Sequence, residues 1–483
     1  MTSPHIPAMG MGAGACAVDV DEDGDIDIFA PTRGGHAHLL YVNQGDGTFT
    51  EEAAARGLAG TGEHARQGLF FDYDGDGRLD LLIATDCFMA DIPCTRPNLV
   101  LYRQLADGTF TDVTAAAALL DKVNPKISAH FGGMCAGDIN NDGWIDVFVG
   151  QWSGKASLFL NNGNGTFTDI SVSSGVGIAE TWHWQPMMHD FDGDGLLDIY
   201  CAMDFVDNLL WINQGNNTFV DMAKQANAHN KMNDMGLALG DYDNDGDIDI
   251  YTTNVYQING TDTYNMLYRN DSTPLGMKFT DVSKVSGVHQ GEWGWGCAFA
   301  DLDNNGWLDL LATNGLDRPE SRHDLSRLFM NRGPSHGFKF QNVAAQFGFE
   351  DDRWGSGLAC FDYDRDGYLD VLQSCEMDDG LHLLRTTRAP STKYPDQNHI
   401  CIRPRMGGNN KFAVGACVQV TVNGYTMQRL IHCGANFMCQ EPFEAFFGVG
   451  TATEVEEIRV KWPGGGVSVV KNVPVNQLIT ITD

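Results

Sequence analysis

"DFDGDGLLD", residues 190–198, places aspartates at loop positions one, three, five and nine and a glycine at position six. Carboxylates this close repel one another unless a cation lies among them. A hard divalent ion such as Ca2+ takes about six to eight oxygen ligands, and alternate residues of a tight loop can aim carboxylates inward while glycine allows the turn. The stretch is therefore predicted to be a metal loop. The pattern occurs seven times, with candidate ligands Asp19, Asp21, Asp23 and Asp27; Asp72, Asp74, Asp76 and Asp80; Asp138, Asn140, Asp142 and Asp146; Asp190, Asp192, Asp194 and Asp198; Asp241, Asp243, Asp245 and Asp249; Asp301, Asp303, Asn305 and Asp309; and Asp362, Asp364, Asp366 and Asp370. Start-to-start spacings of 51 to 66 residues mark a repeat architecture.

An EF-hand would place its last carboxylate at position twelve and continue as a helix. Here the loops run into short apolar segments, "IDIFA", "LDLLIA", "IDVFVG" and "LDIYCAM", which predict strands and make each loop a hairpin turn. A second motif follows six of the seven loops, as in "NQGDGTFTE" from Asn43 and "NNGNGTFTD" from Asn161, and predicts a second hairpin. One unit then holds about four strands, and seven such units predict an all-β, seven-bladed β-propeller. Five residues before each loop stands Gly14, Gly133, Gly236, Gly296 or Gly357, with Gln67 and Gln185 as exceptions, as expected where backbones crowd toward an axis.

The chain has 483 residues and a formal charge of −33; the loop positions account for 26 of its 64 acidic residues, and seven divalent ions would bring the charge to −19. Such acidity argues against nucleic acid or anionic membrane as partner. No apolar run approaches the length of a membrane span, and "MTSPHIPAMG" lacks a signal-peptide pattern, so the chain as it stands is expected in the cytoplasm, or outside the cell if a leader has been trimmed. Twelve cysteines show no zinc spacing, and Cys16, Cys135, Cys201, Cys297 and Cys360 sit in apolar runs as expected of reduced thiols. Calcium pulls the other way, toward an extracellular setting.

After "APSTKYPDQ", a linker, short alternating strands without metal loops predict a small β domain over 398–483, following a propeller over 1–390. The last blade lacks the second hairpin motif, so it must borrow an outer strand or go without, and the tail either caps the ring or closes that blade. The seven loops resemble FG-GAP or VCBS repeats, known from integrin-α propellers and several lectins. The tail "NNKFAVGACVQVTVNG", with "FFGVG" and "KWPGGG", resembles the ASPIC/UnbV domain, whose name comes from natural-product gene clusters. The resemblance implies a calcium-stabilised propeller with its metal hairpins on one face and a funnel on the opposite one, and it implies no single chemistry.

Counting back eight residues from each loop gives Met11, His64, His130, Trp182, Asn233, Trp293 and Trp354; counting back six gives Ala13, Arg66, Gly132, Trp184, Met235, Trp295 and Ser356. These positions differ from blade to blade, as an asymmetric pocket requires and a purely structural repeat does not. Two classes of function follow. In the first, His64, His130, His183, Glu63 and Asp234 transfer protons in a non-redox elimination, isomerisation or cyclisation of a small molecule, as in natural-product biosynthesis. Trp182, Trp184, Trp293, Trp295, Trp354, Arg66, Arg353, Asn233, Gln67 and Gln185 would bind that substrate. In the second, the indoles stack on a carbohydrate or on a protein partner and nothing is transformed. No nucleotide or redox motif is present, and "GQWSGKAS" has the wrong spacing for a phosphate loop. The convergence of ionisable groups and the absence of a repeated binding site favour the enzyme; the competing structural account packs each indole between blades.

Overall fold

A computed structural model describes residues 14–32, 36–60, 64–85, 99–119, 130–255, 263–315, 324–375, 380–387 and 397–483, with only the backbone of His130. The aspartate hairpins and the asparagine hairpins alternate along the chain and fold it into seven antiparallel meanders. Each opens with an inner strand: Cys16–Val18, Ala65–Phe71, His130–Gly137, Thr181–His189, Asp234–Gly240, Gly294–Ala300 and Gly355–Phe361. We number the units by these strands. Units 1 to 6 have four strands, while unit 7 has three among the described residues; the residues before Gly10, a candidate for its outer strand, lie outside them. Inner strands touch in order from unit 1 to unit 7, and that of unit 7 touches that of unit 1, so the arrangement is a closed, propeller-like ring. Units 3 and 4 also pair directly at one end, Trp152 beside Trp182.

The asparagine that opens the second hairpin staples neighbouring units. Asn43 Nδ2 donates to Tyr363 O at 2.9 Å, Asn161 to Tyr73 O at 2.9 Å, Asn213 to Ile139 O at 2.7 Å and Asn331 to Tyr242 O at 2.9 Å, and Gln104 does the same to Val20 O at 2.9 Å. In each case the acceptor is the second residue of the preceding unit's metal loop. The Asn43 staple joins unit 1 to unit 7 and thus closes the ring.

The C-terminal residues form two small sheets: Asn398–Arg405 between Ala445–Gly450 and Leu478–Thr482, and Cys417–Val422 between Tyr425–Leu430 and Glu454–Lys461, with Val467–Pro474 outermost. They cap the face that carries the aspartate hairpins and do not extend unit 7. Lys411 Nζ bonds Glu22 at 2.6 Å and Gly77 O at 2.8 Å, Gly450 N donates to Asn304 O at 2.9 Å, and Glu444 joins Arg365 (2.8 Å) to Arg403 (2.5 Å).

From this cap the segment 431–444 descends into the hub. Gln440 pairs with the unit 1 inner strand (Ala17 N to Gln440 O, 2.9 Å; Gln440 N to Ala15 O, 3.0 Å), and its side chain bonds Phe70 N (2.7 Å) and Phe70 O (2.9 Å) of unit 2. Ala136 N of unit 3 donates to Cys433 O at 2.9 Å, Asn436 N donates to Leu237 O of unit 5 at 3.1 Å, and Cys360 N of unit 7 donates to Glu441 Oε1 at 2.9 Å. The axis is therefore filled by a plug. The expected glycine crowding is real and partly due to it: a Cβ on Gly14 would overlap Met438 O, and one on Gly296 would stand 3.0 Å from Asn436 O. Of the two exceptions, Gln67 spans to unit 3 by bonding Met134 N (2.6 Å) and O (3.1 Å), and Gln185 Oε1 receives Met438 N at 2.6 Å.

Candidate functional site

The aspartate hairpins repeat one geometry. The ninth residue turns back, one carboxylate oxygen accepting the amide of loop residue two and the other the amide that ends the third strand. Asp27 takes Val20 N and Asn43 N (both 2.8 Å), and Asp198 takes Phe191 N and Asn213 N (both 2.8 Å). Asp80, Asp146, Asp249 and Asp309 follow the same rule, and Asp370 takes Tyr363 N and the amide of Thr386, two residues past the third strand. The first residue accepts loop amides, as Asp72 does from Asp76 N (3.1 Å) and Gly77 N (2.8 Å). These bonds order the carboxylates without neutralising them. Burial pushes Asp27, Asp80, Asp198 and Asp370 up to about 8 and Asp19 and Asp72 to about 6.

Oxygens of Asp19, Asp21 and Asp27 lie within 4.8 Å of one another, as do those of Asp72, Asp74 and Asp80; of Asp190, Asp192 and Asp194; of Asp241, Asp243 and Asp249; and of Asp301, Asp303 and Asp309. At loop position three, the Oδ1 atoms of Asp74, Asp243, Asp303 and Asp364 are buried without a hydrogen-bond partner among the described residues. An all-oxygen donor set with orphaned buried oxygens fits a hard divalent cation. The loops are not equivalent, however: Arg103 reaches Asp74 (2.6 Å) and Asp76 (2.9 Å), and Arg385 reaches Asp364 (2.7 Å) and Asp366 (3.0 Å), so units 2 and 7 carry their own counter-charge. In unit 3, Asn140 Nδ2 donates to Asp142 Oδ2 at 3.0 Å.

On the opposite face the entry segments form an aromatic floor. Indole centroids run Trp152 to Trp184 (6.2 Å), Trp184 to Trp295 (6.3 Å) and Trp295 to Trp354 (6.2 Å), an arc drawn from units 3, 4, 6 and 7. Arg66 of unit 2 stands over Trp184 at 5.6 Å, and Met235 of unit 5 packs beside it. Asp204 gathers the polar edge, accepting Trp152 Nε1 at 2.8 Å and Asn233 Nδ2 at 2.5 Å. Trp182 packs edge-on against Phe205 at 6.0 Å. Trp293 N donates to Asp324 (3.1 Å), Trp295 Nε1 to Gly315 O (2.6 Å), and Arg353 pairs with Asp351 (2.7 Å). Trp354 Nε1 has no acceptor among the described residues.

Two of the five proton-transfer candidates, His183 and Asp234, lie buried away from the arc. His183 is fully buried, its Nδ1 on Gln151 O at 2.9 Å and its ring stacked on Trp211, and burial lowers it to about 4, so it stays neutral. Asp234 is equally buried and held by Asn208, Asn230 (2.7 Å) and Thr252 (3.1 Å), a structural carboxylate between units 4 and 5. Both, with Gln67 and Gln185, turn away from the indole arc because successive strand residues point to opposite faces. His64 is nearly buried at the entry to unit 2. Glu63, Met11, Ala13 and the His130 side chain lie outside the described residues. Two residues were missed: Trp152 and Asp204 each stand six positions after the ninth aspartate of their loop, a count forward along the chain that also reaches Val255 and Gly315.

Among the described residues no helix is long and apolar enough to cross a membrane. Cartilage acidic protein 1 of Mus musculus is 26% identical over 419 residues, covering 82% of this chain and 60% of its own; the Homo sapiens protein of that name is 28% identical over 296 residues, covering 59% and 41%. The chain thus spans about three fifths or less of these relatives. The BP39L lectin from Burkholderia pseudomallei superposes with a TM-score of 0.47 at 10% identity, over 77% of this chain and 95% of that one. FG-GAP-like repeats match residues 5–83, 138–201, 190–252 and 255–312, and an ASPIC and UnbV domain matches 406–483. The chain belongs to the FG-GAP-like repeat family and carries a C-terminal ASPIC and UnbV domain.

Proposed function

We propose that this protein is a calcium-stabilised binding propeller whose axial funnel takes a ring-bearing ligand, of carbohydrate type, by stacking. The ring occupies the first 390 residues and the cap residues 398–483. Calcium in the hairpins supplies positive charge among carboxylates that burial otherwise drives toward protonation, and its role is structural. One observation carries the funnel: four indoles from four units form a continuous arc, edged by Asp204, Asn233 and the Asp351–Arg353 pair. Flat apolar faces beside orienting hydrogen-bond groups are what a sugar ring requires. Binding is favoured over catalysis because His183 and Asp234, two of the expected proton carriers, are buried with structural partners.

The test titrates the calcium-loaded protein with a panel of neutral mono- and oligosaccharides, followed by indole fluorescence and calorimetry. At least one member should bind, and Trp295→Ala and Trp354→Ala should each weaken it about tenfold or more while leaving the melting temperature within a few degrees. Silence of the indoles to every member, with no heat of binding, refutes the proposal.

A further inference from the structure

The plug ends directly beneath the indole arc, and its tip has an unfavourable backbone. Asn436, Phe437 and Met438 have φ of 61°, 84° and 57°, three successive residues with side chains in the left-handed region. Such a conformation persists only where the surroundings over-determine it, and it gathers at sites where geometry matters. Here the tip is bracketed by Ala435 and Cys439, which exchange backbone bonds of 2.8 and 3.0 Å, and pinned by Gln185 on Met438 N and by Glu441 on Asn436 Nδ2 (2.8 Å). The consequence is the placement of one ring. Phe437, 1% exposed, stands 5.6 Å from Trp184 at 50° and 5.3 Å from Trp295 at 61°, against the two middle members of the arc.

We propose that Phe437 is a positioning residue for the funnel: the strained tip drives its ring as a wedge against Trp184 and Trp295 and fixes the planes on which a flat ligand stacks. The inference rests on the stacking role of the funnel and adds that the C-terminal domain shapes its floor. Two indoles of the arc already have fixed N–H groups, Trp152 on Asp204 and Trp295 on Gly315 O, so the wedge acts chiefly on the tilt of the rings. The plug holds its place largely through Gln440, Cys433 and Glu441, away from Phe437 itself, so the wedge can be removed without unseating the plug.

The experiment uses the full-length, calcium-loaded protein with Phe437→Leu, which removes the ring, and Phe437→Tyr, which keeps it. Two readouts are taken: the circular-dichroism exciton signal of the coupled indoles, which needs no ligand, and affinity for the saccharide panel. Phe437→Leu should reduce the exciton signal and weaken panel binding about tenfold with little change in melting temperature, while Phe437→Tyr retains both. Should Phe437→Leu not fold, Phe437→Met is read in the same way. An unchanged exciton signal in the ring-less variant overturns the inference, as does equal damage in Phe437→Tyr or loss of signal only in step with global unfolding. If the wild type binds no saccharide, the stacking function fails, and the exciton readout still decides the wedge.

Discussion

Asn43 offers a direct test of how the ring closes. It is 1% exposed, and its Nδ2 donates to Tyr363 O of unit 7 at 2.9 Å and to Ile26 O of its own loop at 3.2 Å, while its Oδ1 accepts Gly45 N at 3.1 Å. Asn43→Ala leaves two buried carbonyls without this donor, at about 1–1.5 kcal/mol each, and removes a bond to a turn amide that water can replace. The expected loss is about 2–3 kcal/mol. Across a chain of 483 residues, whose unfolding entropy is about 1 kcal/mol/K, that is a fall of about 3 °C in melting temperature. Asn43→Asp should be worse, because a carboxylate would face the same two carbonyls and add charge beside Asp27, whose Oδ1 already accepts the Asn43 amide. Gln44→Ala, which loses only a bond to Val42 O at 3.1 Å near the surface, is the control and should cost less than about 0.5 kcal/mol. Urea unfolding followed by indole fluorescence, at saturating calcium, measures all three. If Asn43→Ala matches the control, or Asn43→Asp is the milder change, the staple does not hold the ring.

Metal removal should invert the pH dependence of stability. In the metal-free fold Asp27, Asp80, Asp198 and Asp370 titrate near 8 and Asp19 and Asp72 near 6, above the value of about 4 for an unfolded aspartate. A raised folded pKa stabilises the protonated fold, fully below about pH 4, and that contribution is lost as pH rises through 6 to 8. After EGTA treatment the melting temperature should therefore fall from pH 5 to pH 8.5, while with calcium it should hold or rise because the ligands bind when deprotonated; parallel curves would contradict metal binding. Gly14→Ala should unseat the plug, since its Cβ would overlap Met438 O, and should cost more than about 3 kcal/mol, whereas Gly165→Ala, strained only by a φ of 82°, should cost about 1 kcal/mol by the same unfolding assay.

The loops, the hairpins and the meander order were legible because their signals are local: ligand spacing spans nine residues, and strand alternation follows at once. Part of the indole arc was legible for the same reason, since Trp184, Trp295 and Trp354 share a register with the loops. His183, Gln185 and Asp234 were misplaced although the needed signal was present, because residues at odd offsets from the same loop point to the other face of a strand. Asn43 was visible as the start of a motif, but its partner is 320 residues away. The plug was illegible for a stronger reason. "IHCGANFMCQEPFE" has the composition of an ordinary connection within a small β domain, and only the assembled ring creates the cavity that it fills.

That cavity explains why the two parts of the chain work as one body. Closing sheets into a ring solves the edge problem between units but creates a new one at the axis, where every inner strand turns an unpaired edge inward. Water would fill a wide hub and satisfy those edges, whereas here glycines draw the inner strands close, so that a Cβ on Gly236 would overlap Trp295 O. The unpaired edges and the space between them must both be filled by the chain itself. The plug resolves both difficulties. Its backbone and side chains pair with Ala15 and Ala17, Phe70, Ala136, Leu237 and Cys360, and its apolar tip packs against the indole arc. A ring deprived of residues 431–444 would expose these edges together with the undersides of Trp184 and Trp295, so the cap is part of the hub's core. The hairpins that the cap covers and the indoles on the far face are consequently linked through a single buried segment.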